Sequence, residues 1–570
     1  MQKIRNIFYL LVPIAITLLI CSFSVSICSK SYTEFIQSIL LSIQRPDIEL
    51  KIRTLYFPES KFQILKIVLV SASILSSIAL VLLIAFRKRY YDFVSNYITK
   101  VLLFVTWLYS LYTGYSKPGK IFLWIGIIVL LIRSLWYAQN FSIQFDEAWN
   151  YNLFLSKNLF YSLGAYNNYP LHNVITWFFI QCFGNEVMVL RFPSVLIGLI
   201  LIFTVALLVR HITKNECLSI SLAFLIACLP IHVFYMMYAR GVLFEIYFSL
   251  LISYVLLKTN HDGFTKKYLQ WFGILNALGT FSMLSHVYFI GASSLFIMAS
   301  GFVTKKSNLF FAFSYFMVSI CCSVLLLIPI LLGTGLQAGM QAAHSSQTIH
   351  WRDYLNNINE YSSFITGISW GLYFLLGLML LMFVKEGKRL LIPFLFTLSI
   401  ASIMFIIPAV THVFPPPRAF GFLVLIPIIV FGLSLYFVYI KSKWIAMLST
   451  IVMAAFFSER AHTHPFLNWS KQLDKEVEHV SEVMIKNNIH AAFNDCRDFD
   501  YFIPGISYYY MQSHENIQFT SSAKNSTRHT DSIPSNTKAI IVSKMSNQKP
   551  SKDFSLLYSI GDVLIYKRNN

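Results

Sequence analysis

Apolar stretches of about 17 to 25 residues recur along most of this 570-residue chain and stop near residue 457. A helix of about 20 apolar residues crosses the hydrocarbon layer of a bilayer, which is about 30 Å thick. Only 12% of the residues are charged and 56% are hydrophobic, whereas about a quarter of a soluble chain is charged. These features exclude a soluble globular fold before residue 457. We expect an all-α polytopic membrane protein with about 13 to 14 transmembrane helices.

The formal net charge of +19 is concentrated in this apolar part, because residues 459–570 hold 13 Lys and Arg against 12 Asp and Glu. The excess falls in alternate short loops, which the positive-inside rule places in the cytoplasm. The basic residues of these loops are Arg210 and Lys214; Lys258, Lys266 and Lys267; Lys305 and Lys306; Lys385, Lys388 and Arg389; and Lys441 and Lys443. The charge therefore predicts topology, and we expect no nucleic-acid partner.

The topology of the N-terminal part is ambiguous. Four apolar stretches, at about 7–29, 63–86, 97–115 and 121–138, precede the first acidic motif. If Lys3 and Arg5 are cytoplasmic and all four stretches cross, Asp146 would be cytoplasmic, opposite to the later loops. Either the N-terminus is outside or one stretch does not span. The weakest candidate is 97–115, which polar and aromatic residues interrupt.

Three polar motifs follow in order. Asp146 and Glu147 lie in Phe141–Tyr151, directly behind an apolar helix; Tyr169-Pro170-Leu171-His172 comes next, and then Arg191-Phe192-Pro193-Ser194 opens another apolar stretch. An ionised side chain at a membrane edge is costly to desolvate, so it usually faces water, a cavity or a cation.

This order resembles the first extracytoplasmic loop of the GT-C fold glycosyltransferases that use polyprenyl-phosphate sugars, which include protein mannosyltransferases and lipid A aminoarabinose transferases. The resemblance covers about residues 120–460. The chain departs from the family in having Asn168-Tyr169-Pro170-Leu171 where His-Pro-Pro-Leu is usual, and Tyr238 where a glutamate usually precedes Ala-Arg. Glu245, a turn further along, is one possible substitute for that glutamate.

The resemblance implies roles for two acids and two arginines. Asp146 is expected to be the catalytic base or to orient the acceptor, with Glu147 as a helper or as a favourable charge at a helix N-terminus. Arg240, in Tyr238-Ala239-Arg240, and Arg418, in Pro417-Arg418-Ala419, are expected to bind the donor phosphate. The alternatives are helix capping for the acids and snorkelling to lipid headgroups for the arginines.

The sugar or the acceptor has weaker candidates. Asn168, Tyr169 and His172 occupy the turn where relatives carry His-Pro-Pro, and His286 lies in a Ser-His-Val-Tyr segment that resembles the family's Thr-His-Tyr. Their amide, imidazole and aromatic groups suit sugar hydroxyls and ring faces. The alternative is that Tyr169 only packs against its neighbours and that His286 is a hydrogen-bonded polar residue at a helix end without a role in binding.

No cofactor is expected. Asp353 with His350 and His344, and Asp146 with Glu147, are the two candidate divalent cation sites. Their spacing is unspecific and some families of this resemblance need no metal, so we predict no obligatory one. The cysteines show neither a CxxC nor a Cys/His metal spacing.

The C-terminal part differs in kind. A helix is predicted over 470–488, with strands at 490–494, 516–520, 538–543 and 554–567 and a hairpin at Gly561-Asp562. The chain is therefore expected to comprise N-terminal extra helices (1–119), a GT-C-like membrane core (120–458) and a small α/β extracytoplasmic domain (459–570), which either covers the active site or is a stabilising cap.

The composition predicts a multi-pass membrane protein, and the resemblance implies that it is a glycosyltransferase of the plasma or inner membrane. It would move a sugar from a polyprenyl phosphate donor to a lipid, glycan or protein acceptor on the extracytoplasmic side, in contact with membrane lipids. Two alternatives remain: a transporter or flippase of a lipid-linked sugar, for which paired repeats would be expected, and an inactive scaffold relative.

Overall fold

The structure is a computed structural model. It describes residues 24–43, 58–141, 143–156, 169–262, 266–304, 309–333, 351–411, 414–463, 477–494, 502–513, 517–521, 537–543, 553–560 and 563–569, with isolated residues before 24 and at 53 and 515. The chain divides into two compact units. The first comprises Met1–Lys120, Gly164–Tyr166 and Ile328–His344, and the second comprises Ile121–Leu163, Asn167–Leu327 and Ser345–Asn570.

Helices make up most of the described chain. They are α1 Tyr32–Ile43, α2 Glu59–Ala85, α3 Arg87–Thr113, α4 Lys117–Asn140, α5 Phe145–Asn150, α6 Pro170–Phe183, α7 Val187–Thr213, α8 Glu216–Ala227, α9 Pro230–Met236, α10 Val242–Asp262, α11 Lys266–Ser282, α12 His286–Thr304, α13 Leu309–Gly333, α14 Trp351–Thr366, α15 Gly371–Glu386, α16 Leu391–Thr411, α17 Leu425–Lys441, α18 Lys443–Thr463, α19 at 477–486 and α20 Ile503–Gln512. A π-turn, Tyr151–Leu155, continues α5, and 3-10 segments cover Gly387–Leu390 and Pro417–Val424.

Within the described residues, nine helical segments are long and apolar enough to cross a membrane, which makes this a multi-pass membrane protein. They are Glu59–Ala85, Lys117–Asn140, Val187–Thr213, Val242–Thr259, His286–Val303, Leu309–Ile328, Gly371–Thr411, Pro417–Lys441 and Lys443–Thr463. The pair α8 and α9 is long and apolar enough when taken together, but it is bent by 68°, as a broken span or a re-entrant loop would be.

Four features account for the difference from the 13 to 14 helices expected. Gly371–Thr411 has 41 residues, about twice what a bilayer needs, and Gly387 at φ +60° divides it into α15 and α16. Phe383 and Phe394 stack across that break with ring centroids 4.4 Å apart. Helix α11 has only 17 residues, and α3, which contains most of the stretch 97–115, is not among the candidate spans. Most of the first stretch, 7–29, lies outside the described residues.

The first unit has a local core between α1 and α2. Phe35 stacks on Phe62 with centroids 4.8 Å apart, and both side chains are buried. Lys66 Nζ donates to the carbonyl oxygens of Cys28 (3.1 Å) and Lys30 (2.8 Å). These bonds satisfy backbone acceptors at the end of the preceding helical segment.

The membrane part of the second unit is built around α7, which contacts α6, α8, α9 and α10. The break between α8 and α9 coincides with Pro230, because proline lacks the N–H that would continue a helix and is tolerated in the first turn. All residues of α9 are buried. Residues 237–241 follow this bent pair and are all buried in the protein interior, and they include Arg240.

The C-terminal segment contains a five-stranded sheet of order β2-β1-β3-β5-β4, with β1 Ala491–Asn494, β2 Gln518–Ser521, β3 Ala539–Ser543, β4 Phe554–Ile560 and β5 Val563–Arg568. Strand β1 runs parallel to β2 and β3, and β5 runs antiparallel to β3 and β4. The four predicted strand regions and the β4–β5 hairpin pairing are confirmed, although Gly561 and Asp562 lie outside the described residues.

Alternation along the strands gives the sheet two covered faces. Ile541 and Ile565 face α19 and α20 in the larger cluster, whereas their neighbours Ile540 and Leu564 belong to a smaller cluster on the other face. This is the two-residue periodicity expected of strands. Helix α20 was not predicted from the sequence.

Helix α20 also packs against α5, which carries Asp146 and Glu147. Tyr508 makes an edge-to-face contact with Tyr151 at 5.1 Å, and its hydroxyl donates to the carbonyl of Asn185 at 2.8 Å. Asn152 Nδ2 donates to the carbonyl of Pro504 at 2.7 Å. The C-terminal segment thus helps to fix the position of the acidic helix.

Candidate active site

The acidic pair sits in the first turn of α5, and its two side chains have different surroundings. Glu147 Oε2 accepts the backbone N–H of Gln144, the residue before the helix, at 3.0 Å, which is a capping interaction. Glu147 is buried, whereas 37% of the Asp146 side chain is exposed. Glu147 therefore stabilises the start of the helix, and Asp146 is the acid that a ligand can reach.

Glu147 is held by a fully buried arginine. Arg191 donates from Nε to Oε1 at 2.9 Å and from Nη2 to Oε2 at 2.5 Å. Its Nη1 donates to the carbonyl oxygens of Ala138 (3.1 Å) and Phe141 (2.6 Å). A buried ion pair is tolerated when its remaining donors and acceptors are bonded, as they are here. The Asp-Glu and Arg-Phe-Pro-Ser motifs thus meet in space.

The same carboxylate positions the segment that carries Arg240. Glu147 Oε1 accepts the backbone N–H of Ala239 at 2.6 Å. The next residue, Arg240, then forms an ion pair with Asp146 through Nη2 and Oδ2. Glu147 therefore fixes the backbone next to Arg240, and Arg240 is the residue that pairs with Asp146.

Arg240 is buried and partly unsatisfied. Its guanidinium carbon lies 5.5 Å from the ring centroid of Tyr169 and 4.9 Å from that of Tyr238, within the range of cation–π attraction. Its Nε has no hydrogen-bond partner in the described part of the chain. Burial, and secondarily the positive charge of Arg418, lower the pKa of Arg240. Because arginine stays charged in proteins, the site holds two neighbouring cations.

Arg418 lies in the 3-10 segment Pro417–Val424, which follows Phe414-Pro415-Pro416. Tyr361 donates its hydroxyl to the carbonyl of Pro415 at 2.8 Å, which anchors the approach to this segment. The Arg418 side chain is half-buried and, among the described residues, makes no hydrogen bond or ion pair. It is close enough to Arg240 and Tyr169 to act electrostatically on both.

Tyr169, a predicted sugar or acceptor ligand, belongs to this site. Its approach to Arg240 depends on Gly241, where a Cβ atom would lie 3.1 Å from Tyr169 Cβ and 2.3 Å from the carbonyl oxygen of Ser282. Burial raises the pKa of the Tyr169 phenol; Arg418 opposes this shift and Glu245 adds to it. Tyr169, Arg418 and Glu245 are therefore neighbours.

The two histidines bond to protein groups. His172 is buried, with Nε2 3.1 Å from Ser194 Oγ and Nδ1 3.2 Å from Thr176 Oγ1, and burial lowers its pKa to about 3. His286 begins α12 and contacts α10 and α11, with Nε2 3.1 Å from Asn276 Oδ1 and Nδ1 3.4 Å from Ser249 Oγ. These contacts favour structural roles for both, and Asn168 lies outside the described residues.

Among the described residues, no three His, Cys, Asp or Glu side chains are grouped as metal ligands would be. The candidate cation site of Asp353 with His344 and His350 is not tested, because both histidines lie outside those residues. The predicted lack of a metal requirement stays a prediction.

Sequence reasoning did not assign a role to three residues of this region. In the sequence, Arg191 stands out only as part of the Arg-Phe-Pro-Ser motif. A fully buried arginine needs an acidic partner, and the sequence does not show that this partner is Glu147. Asn150 and Asn173 exchange reciprocal side-chain amide bonds of 2.8 and 3.1 Å, which join α5 to α6. The only signal for Asn150 was its position one turn after Asp146.

Comparisons with known proteins identify no relative: no protein-family model matches the chain, and a search of the curated proteins gives no significant match.

Proposed function

We propose that the chain is an integral membrane glycosyltransferase of the GT-C class, which moves a sugar from a polyprenyl phosphate carrier to a lipid, glycan or protein acceptor. The observation that carries the proposal is the arrangement of Arg240 and Arg418 beside Asp146. Two cations close together in a partly buried site repel each other, and Asp146 balances only one of them. A phosphate would supply the missing negative charge and bind guanidinium groups through paired hydrogen bonds.

The geometry of Arg240 supports a mechanism with inversion. Nη2 is occupied by Asp146, whereas Nε has no hydrogen-bond partner among the residues that the structure describes. We place the donor phosphate at the Nε edge, with Arg418 on its other side. The guanidinium then separates the departing phosphate from the Asp146 carboxylate, which accepts the proton of the acceptor hydroxyl or amine as that group attacks the anomeric carbon. The C–O bond to the phosphate breaks, and the two arginines stabilise the charge on the leaving group.

Glu147 has a positioning role in this scheme, because its oxygens are occupied by Arg191 and by backbone N–H groups. The expected site residues are therefore Asp146 as base, Arg240 and Arg418 at the phosphate, and Tyr169 beside the sugar. The resemblance of the motifs to the GT-C families points to the same division of roles.

The distribution of basic loops supports an extracytoplasmic site in the plasma or inner membrane. Arg210 lies in the last turn of α7 and Lys214 follows it. Lys388 and Arg389 lie between α15 and α16, Lys441 ends α17 and Lys443 begins α18. Since α3 is not a candidate span, a cytoplasmic N-terminus with three crossings before Asp146 is consistent with these loops.

The test is transfer of labelled sugar from polyprenyl phosphate donors to membrane acceptors in vesicles that contain the wild-type protein, Asp146→Asn or Glu186→Gln. Loss of the base is expected to reduce transfer by roughly 10²- to 10⁴-fold while donor binding persists. Glu186 is an exposed acid just before α7 and serves as the matched control. Near-normal transfer by Asp146→Asn would refute the mechanism. Wild-type movement of carrier lipid across the bilayer without transfer would favour the transporter.

A further inference from the structure

The most unusual polar group outside the proposed mechanism is the carboxyl group of Glu245. Its side chain has no exposure, and neither oxygen has a hydrogen-bond partner in the described part of the chain. Leaving a buried carboxyl group unbonded costs several kcal/mol, so such groups are normally paired. A protein that keeps this cost is expected to gain a function from the group.

The surroundings of Glu245 connect it to the candidate active site. It lies in the first turn of α10, five residues after Arg240, and α10 contacts the 3-10 segment that carries Arg418. In that segment Gly421 approaches so closely that a Cβ atom there would lie 3.0 Å from Glu245 Oε2. Glu245 and Arg418 both act electrostatically on Tyr169, although they form no ion pair with each other. The carboxyl group thus packs against the segment that carries Arg418, and both groups lie near Tyr169.

We infer that Glu245 binds the sugar of the donor by accepting hydrogen bonds from a hydroxyl or a protonated amine. This inference rests on the proposed function, because the phosphate at Arg240 and Arg418 would hold the sugar within reach of Glu245. Tyr169 supplies an aromatic face, which sugar-binding sites commonly use together with a carboxylate. A sugar hydroxyl and a protonated sugar amine both donate hydrogen bonds to the Glu245 carboxyl group, but only the amine carries a positive charge.

The experiment measures binding of the full-length protein in lipid nanodiscs to bare polyprenyl phosphate and to polyprenyl phosphate carrying glucose, mannose, galactose or 4-amino-arabinose. The wild type is expected to bind at least one sugar lipid more tightly than the bare lipid. Glu245→Met should reduce that preference by up to about tenfold, the value of one hydrogen bond, and leave bare-lipid binding unchanged. Glu245→Gln should retain part of the preference for a hydroxyl and lose that for an amine.

Thermal stability is a second measurement that keeps the inference testable. Because Glu245 has no hydrogen-bond partner among the described residues, Glu245→Met is expected to fold and to melt at a temperature equal to or above that of the wild type. Ser253→Ala is the matched control: Ser253 is buried two turns further along α10, and its hydroxyl bonds only to the backbone of its own helix. It should change neither lipid preference nor stability appreciably.

The outcomes separate this inference from the proposed function. If Glu245→Met keeps the wild-type preference for a sugar lipid, or changes binding of the bare lipid equally, the inference is wrong and the phosphate site stands. If the wild type binds the bare lipid but prefers no sugar lipid, the inference is also wrong. If the wild type binds neither lipid, the proposed function fails as well.

Discussion

Arg191 and Glu147 form a buried, bidentate ion pair with Nε–Oε1 and Nη2–Oε2 distances of 2.9 and 2.5 Å. The pair joins the start of α7 to the start of α5, and Glu147 also binds the backbone N–H of Ala239. It thereby determines how Asp146 and Arg240 face each other. Glu147 therefore holds α5, α7 and the backbone next to Arg240 in place, while Asp146 remains accessible.

Arg191→Met is expected to destabilise the protein strongly. It removes the cation but leaves the Glu147 carboxylate buried, a situation that costs about 3–5 kcal/mol. The measurement is thermal or denaturant unfolding in detergent. A double variant, Arg191→Met with Glu147→Met, should recover part of the loss because no charge is left unpaired.

Arg389→Met is the control for this prediction, since Arg389 is exposed between α15 and α16. It should change the free energy of unfolding by less than about 0.5 kcal/mol. An Arg191→Met protein as stable as this control would contradict the importance of the pair.

The sequence predicts individual elements better than it predicts contacts between them. The strands were predictable because short runs rich in β-branched and aromatic residues, such as the run that contains Ile540 and Ile541, are separated by polar segments. The acidic motif was recognisable because charges are rare at the end of an apolar helix. The pairing of Glu147 with Arg191, and of Asp146 with Arg240, depends on how distant helices pack, and residue type and spacing do not specify that packing.

Boundaries and short elements were also poorly predicted, for local reasons. Helix α7 begins at Val187, one turn before the Arg-Phe-Pro-Ser motif that was expected to open it. Helix α20 has ten residues, with Pro504 in its first turn and three successive tyrosines, and this composition does not distinguish a helix from a strand. The sequence marks Glu245 as one possible substitute for the glutamate that relatives carry before Ala-Arg, but its complete burial depends on helix packing that the sequence does not specify.

Stability is expected to depend on pH through His172. Its pKa is about 3 in the folded protein because burial disfavours the imidazolium, against an ordinary value of 6.5. Above pH 6.5 the ring is neutral in both states, so it has no effect. As the pH falls from 6.5 towards 3, only the unfolded chain takes up the proton, and folding stability declines. Melting temperatures of the wild type and His172→Gln between pH 7.5 and 5 test this.

The variant should show a shallower decline than the wild type, because glutamine does not titrate but can still bond to Ser194 or Thr176. His479→Gln is the matched control, since His479 is an exposed residue of α19. If wild type and His172→Gln have parallel pH profiles, His172 does not contribute to the acid sensitivity of folding.

Gly241→Ala is expected to disturb the site directly. The added methyl group would lie 2.3 Å from the carbonyl oxygen of Ser282, so the backbone must shift, and Tyr169 must move as well. Overpacking of this kind costs about 1–3 kcal/mol. Gly377→Ala in α15 is the control, because a Cβ atom there has no neighbour within 4 Å. Unfolding and sugar transfer of the two variants should differ, and equal behaviour would contradict the close approach at Gly241.

Arg418 provides a test that separates binding from folding. Because its side chain makes no ion pair or hydrogen bond among the described residues, Arg418→Met is expected to leave the melting temperature nearly unchanged. Removal of a guanidinium that binds phosphate should weaken the affinity for polyprenyl phosphate by about tenfold or more, the value of one charge-assisted hydrogen bond. Arg418→Lys keeps the charge but lacks the planar fork, so its affinity should be intermediate.

Arg389→Met, which removes an exposed arginine elsewhere, should bind the lipid as the wild type does. Equal affinity of wild type and Arg418→Met would exclude Arg418 from the phosphate site and leave Arg240 as the one arginine proposed to hold the leaving group.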